Sequence, residues 1–161
     1  ISSLLGALIT TQLIPLFSNV PGDTIVLASF VPVVMAMTGN MGSQTAMIIT
    51  RGFAIGKVDM SSVTRSLFRE TTVGLLMGIS AGIVVYLFTF LVYGNMKLGL
   101  AVGVSMVASM ASAAGAGTLA PTLFKKLGVD PAIAAGPFVT TVCDVLGVAA
   151  YLLVSIIVLS Q

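Results

Sequence analysis

The sequence predicts an all-α, polytopic membrane protein with five transmembrane helices. Three observations carry that expectation: scarce charge, long charge-free stretches, and a lopsided placement of the few bases. Of the 161 residues, 57 % are hydrophobic and 7 % charged, seven basic and five acidic, and the mean hydropathy is +1.14. A soluble domain carries about a quarter charged residues, because its surface must be wetted. So few charges exclude an ordinary soluble globule, and the apolar content excludes a disordered chain.

The spans follow in order from the charge-free stretches 1–22, 24–50, 71–96, 98–124 and, interrupted by one acid, 131–161. Crossing about 30 Å of hydrocarbon takes roughly 20 helical residues, so each stretch spans once. The expected helices lie near 1–18, 25–48, 68–93, 97–124 and 132–160. Asn19-Val20-Pro21-Gly22-Asp23 and Tyr93-Gly94-Asn95-Met96-Lys97 read as short turns. Residues 51–70 form the one sizeable polar segment, and 125–130 a compact basic link. Arg51, Lys57, Arg65, Arg69, Lys125 and Lys126 fall in those two connections, and only Lys97 falls on the other side. That bias places both connections in the cytoplasm, with a cytoplasmic N-terminus and an external C-terminus. The chain starts at Ile1 without a basic leader. It is therefore expected to be a piece cut just before or inside its first span, 1–161 forming one transmembrane domain.

Composition closes several chemistries. There is no histidine, which removes Ser-His and Cys-His catalysis and imidazole metal sites. The single cysteine, Cys143, excludes an internal disulfide and a cysteine cluster. A net charge of +2 is too small for a nucleic-acid surface. No glycine-rich segment carries the Lys-Ser/Thr pair of a phosphate loop. An intramembrane aspartyl protease needs two carboxylates, and only one lies inside a span, so no enzyme is expected.

That carboxylate is Asp144, in the middle of the last predicted span. An ionisable group inside a bilayer costs several kcal/mol and points to function. Asp23, Asp59, Glu70 and Asp130 belong to loops or helix ends, where Asp59 and Asp130 suit capping. Helical steps from Asp144 trace a face of Gly136, Thr140, Asp144, Gly147, Tyr151 and Ser155, with Thr141 beside it. Val139, Val142, Leu146 and Leu153 take the opposite side. Small and polar residues around a carboxylate suggest a wet pathway. Pro137, read as lying inside the helix, would free carbonyls one turn upstream. Carbonyls, hydroxyls and a carboxylate are hard oxygen ligands of the kind Mg2+ or Ca2+ prefers. The alternative is that Asp144 is a structural hydrogen-bonding partner for another helix.

The second span holds Pro32 and the patch Gly39-Asn40-Met41-Gly42-Ser43-Gln44. Asn40 and Gln44 share a face, and their amides could meet the waters of a hydrated ion. Equally, Gly39 and Gly42 could serve close helix packing. In the fourth span, Ser105, Ser109, Ser112 and Ala116, with Gly115 and Gly117, favour packing. The nine methionines suit apolar filling. Pro32 precedes Asn40 much as Pro137 precedes Asp144, a faint symmetry like that of paired interrupted helices in transport folds.

These strings resemble a known family. Pro32 followed by Gly39-Asn40-Met41-Gly42-Ser43-Gln44 is similar to the second-helix signature of MgtE-type magnesium channels and transporters, which are solute carrier 41-like. Leu127-Gly128-Val129-Asp130-Pro131-Ala132, then Gly136-Pro137 and Asp144, resembles that family's link and last helix. The likeness covers about 30–160. It implies a pore-forming homodimer in the plasma (inner) membrane, with the pore along the dimer interface between the second and fifth spans. Asp144 matches the selectivity carboxylate, one from each subunit, binding Mg2+ mainly through its water. Thr140 and Gly136 match positions whose carbonyls face the ion, and Asn40 matches the pore-lining Asn. With Asn40, the candidate pore lining is Gln44, Gly39, Thr141, Pro137 and Gly147. Ala114 stands where family members commonly carry Asn, and Ser43 where some do. The cytoplasmic sensing region usual in the family has no counterpart in these residues.

The resulting expectation is a homodimeric channel or transporter for a divalent cation, Mg2+ first, with the lipid bilayer as its other partner and no nucleic acid. Its rivals are a proton-coupled divalent cation carrier and a non-transporting structural membrane subunit.

Overall fold

In the computed structural model, the structure describes residues 8–12, 24–134 and 136–160. These form α1 (8–12), α2 (Thr24–Ala54), α3 (Val63–Tyr93), α4 (Met96–Lys126), α5 (Pro131–Ala134) and α6 (Pro137–Leu159). The rest of the predicted first span, the 19–23 turn and Asp23 lie outside the described residues. Every described element is helical. Four helices, α2, α3, α4 and α6, are long and apolar enough by length and composition to cross a membrane. Thirty-one residues in each of α2, α3 and α4 make about 46 Å of helix, more than the hydrocarbon thickness, so they tilt or project beyond it.

Helix ends follow local chemistry. Asp59 Oδ1 accepts from Ser62 N at 2.8 Å and from Ser61 Oγ at 2.8 Å. These bonds, the Ser61 hydroxyl foremost, hold the Asp59 carboxyl below the usual carboxylate range. The turn they close starts α3 at Val63, ahead of the expected 68. Glu70 therefore lies inside α3, 4 % exposed, and not at a helix end or in a loop as the charge count suggested. Its carboxylate pairs with Arg69 at 2.8 Å. Gly94 ends α3 at φ 66°, a left-handed position that a side chain would strain. Asn95 opens α4 by accepting from Leu98 N at 3.2 Å. Asp130 Oδ1 accepts from Ala132 N at 2.9 Å at the start of α5.

The last predicted span is broken. Gly136 takes φ −111° and ψ −144°, outside the helical range, and Pro137 stands at the start of α6. Pro137 thus begins a helix, where its missing N–H costs nothing, and does not kink one. Pro32 remains inside a continuous α2, so the expected symmetry between the two prolines is absent.

α4 is the hub. It packs on α3, α6 and α2, α2 packs on α6, and α2 and α3 scarcely meet. Leu98, Val102, Met106, Met110 and Ala113 of α4 join Val34 and Met41 of α2 and Val139, Cys143 and Tyr151 of α6 in one core. Met106 and Met110 act there as apolar filling. Against α3 the contact is backbone to backbone. Gly74, Gly78 and Gly82 recur every fourth residue, and a Cβ on Gly82 would lie 2.6 Å from Gly103 O. Serines tie α4 to α6: Ser105 Oγ meets Ser155 Oγ at 2.8 Å, and Ser109 Oγ donates to Gly147 O at 2.9 Å. The serine stripe of α4 is therefore a packing device, as its spacing suggested.

Gly82→Val should push α3 off α4 and lower stability by about 1–3 kcal/mol or more. Gly115→Ala, whose added Cβ would find its nearest atom at 3.9 Å, should be neutral or stabilise by up to about 1 kcal/mol through helix propensity. Thermal unfolding of the purified variants in detergent checks both.

Candidate ion site between α2 and α6

α2 carries a small-residue seam toward α6. A Cβ on Gly42 would collide with Cys143 Sγ, and one on Gly147 would lie 2.6 Å from Thr38 Cγ2. With no hydrophobic drive between helices in lipid, missing side chains of this kind let backbones approach and pack. Gly39 and Gly42 therefore do serve packing, yet Gly39 also faces the carboxylate. A Cβ there would lie 2.9 Å from Asp144 Oδ1 and 3.2 Å from Thr140 Cγ2.

Around that contact lies a cavity of about 310 Å³, lined by Met35, Ala36, Gly39, Asn40, Ser43, Thr140 and Asp144. Thr140 Oγ1 and Ser43 Oγ share a hydrogen bond of 2.9 Å, which fixes the two helices beside the acid. Asp144 is half-buried. Its Oδ1 is buried without a hydrogen-bond partner, and among the described residues its side chain makes no hydrogen bond or ion pair. A buried carboxylate oxygen without a donor is costly, so the geometry calls for something cationic or protic in the cavity. Among the described residues, no group of three or more Asp, Glu, His or Cys side chains could hold a metal. One chain thus offers a single carboxylate with hydroxyl and amide neighbours.

The structure brings together Asp144, Thr140, Asn40 and Gly39. Gln44 is exposed on α2, outside the cavity lining. Gly136 and Pro137 lie at the head of α6, where the Gly136 carbonyl accepts from Val139 N at 3.1 Å and Thr140 N at 3.4 Å. Thr141 Oγ1 donates to Pro137 O at 2.9 Å and does not line the cavity. Gly147 lies in the packing seam. The polar stripe on α6 therefore divides: Tyr151 donates to Leu27 O at 3.2 Å and Ser155 meets Ser105, both inside the protein. Val139, assigned to the opposite side of the helix, is fully buried. Asp144 lies in the first half of α6 rather than at its middle, the eighth of 23 residues, because the break at Gly136 shortens the helix. Ser43 is the site residue that spacing could have found. It lies one turn after Gly39 on the same face.

The sequence matches the family profile described as "MgtE: Divalent cation transporter" over residues 31–154. It is similar to the magnesium transporter MgtE of Bacillus subtilis, 32 % identical over 89 % of this chain and 32 % of the relative. It is likewise similar to the magnesium transporter MgtE of Thermus thermophilus, 35 % identical over 94 % of this chain and 34 % of the relative. The chain spans about a third of the length of these curated relatives. With the motif strings of α2 and α6 inside the matched segment, the chain belongs to the MgtE family of divalent cation transporters.

Proposed function

We propose that this chain is the pore-forming transmembrane domain of a Mg2+ channel or transporter, working as a homodimer in the plasma membrane. The carrying observation is the Asp144 carboxylate, buried at Oδ1 without a partner and facing a cavity lined by Asn40, Ser43 and Thr140. The cavity is roomy enough for an ion with several waters, since a water needs only about 10–15 Å³ of such space. Mg2+ dehydrates reluctantly and tends to keep its water shell. The relatives named magnesium transporters favour the same ion.

Dimerisation supplies what one chain lacks. Two carboxylates, one from each subunit, balance one divalent cation. Asn40 and Gln44 stand exposed on α2, and polar amides facing hydrocarbon are unfavourable. A second copy or a water-filled pore covers them. The end bearing Arg51, Lys57, Arg65, Arg69, Lys125 and Lys126 faces the cytoplasm in this reading, with the C-terminus outside.

Mg2+ flux into liposomes tests the proposal. A unit charge at about 4 Å in a watery medium contributes about 1 kcal/mol, so removing both carboxylates of the dimer, one per subunit, from a divalent ion costs about 4 kcal/mol. Asp144→Asn and Asp144→Ala should each lower flux about a thousandfold. Normal conduction by both variants as folded protein would overturn the assignment. Gly39→Ala should also lower flux while leaving the unfolding temperature nearly unchanged, because its Cβ meets a short side-chain end and not backbone. Gly42→Ala, which collides with Cys143 Sγ and Cβ, should lower the unfolding temperature instead. Parallel melting and flux measurements separate the two.

A further inference from the structure

α2 and α3 are joined by a short connection yet scarcely pack on each other. A wedge opens between them at the end of the molecule that carries the bases, with a volume of about 1000 Å³. Arg51, Lys57, Arg65 and Arg69 line it, and no acid does. Only Arg69 is paired, with Glu70. Arg51, Lys57 and Arg65 make no side-chain hydrogen bond or ion pair among the described residues. The same cavity has apolar walls, where Ile48, Val73 and Phe68 are exposed, Phe68 at 78 %. Compensation of the α2 dipole accounts for one base, Arg51 in its last turn. It does not account for four convergent ones.

We propose that this wedge binds an anionic phospholipid, its phosphate among Arg51, Lys57 and Arg65 and an acyl chain along Ile48, Phe68 and Val73. Charge and shape both favour this occupant. Basic pockets between membrane helices attract anionic headgroups, and long basic side chains lay their stems on apolar surface while holding the charge at the interface. A headgroup with chains matches a cleft that is basic and apolar together, whereas free phosphate matches only the basic part. The inference rests on the chain spanning a membrane and not on the ion pathway, so substitutions at Asp144 leave it unaffected.

The test measures lipid retained by the purified chain from an equimolar mixture of phosphatidylglycerol and phosphatidylcholine, by native mass spectrometry. The wild type should prefer phosphatidylglycerol. Arg51→Gln/Lys57→Gln/Arg65→Gln should weaken that preference by about a hundredfold, and Lys57→Gln alone by about fivefold. The single variant, on an exposed connection, keeps the test decisive if the triple variant misfolds. Arg51→Lys/Arg65→Lys, which keeps the charge, should retain the preference, as should Lys125→Gln/Lys126→Gln at the other basic connection. Millimolar inorganic phosphate should not displace the lipid. The proposal is overturned by equal retention of the two lipids, by an unchanged preference in the neutralised variants, by an equal loss in the Lys125/Lys126 pair, or by displacement with free phosphate.

Discussion

The close approach of α2 to α6 is the constraint on which the rest depends. Lipid tails are as apolar as the helices, so burial alone does not hold the two together. Gly42 lies against Cys143, Gly147 against Thr38, and Gly39 against Thr140 and Asp144. A methyl at Gly42 or Gly147 would collide with the facing helix, and one at Gly39 would press on the side-chain ends of Asp144 and Thr140. The separation that permits this packing also brings the Asp144 carboxylate against a bare backbone, with Oδ1 enclosed and no donor beside it. The cavity is thus a consequence of the seam that holds the bundle.

Around this seam the polar groups divide by what they touch. Ser105 with Ser155, Ser109 with the Gly147 carbonyl, and Tyr151 with the Leu27 carbonyl spend their hydrogen bonds on holding helices together. Among the described residues, two buried side-chain atoms have no such partner, Thr45 Oγ1 and Asp144 Oδ1. An unpaired hydroxyl costs on the order of 1–3 kcal/mol, and an unpaired carboxylate costs far more. Thr45 can be tolerated as a packing residue. Asp144 is the group whose burial the described residues do not compensate.

Much of this was legible because charge is so costly in a bilayer that its placement reports depth. Counting charges located α2, α3, α4 and α6 and singled out Asp144. Motif spacing then brought Asn40 and Gly39 to the site. What stayed hidden depends on backbone breaks and on which helix lies opposite. One unbroken last helix put Pro137 in a kink and Asp144 at the centre, but the non-helical Gly136 moves the helix start. A helical wheel puts Gly147, Tyr151 and Ser155 on the ion's face, yet packing against α4 and α2 takes that part of α6. The Gly74, Gly78 and Gly82 repeat that seats α3 on α4 was visible in the letters as a small residue every fourth position. Chemistry-bearing residues alone do not disclose it.

The central claim is that the Asp144 carboxylate itself meets the cation. Infrared difference spectroscopy of the purified chain, with and without Mg2+, addresses it most directly. The account predicts a Mg2+-dependent change in a carboxylate stretching band that disappears in Asp144→Asn. The same change persisting in that variant, or no carboxylate change at saturating Mg2+, would contradict it.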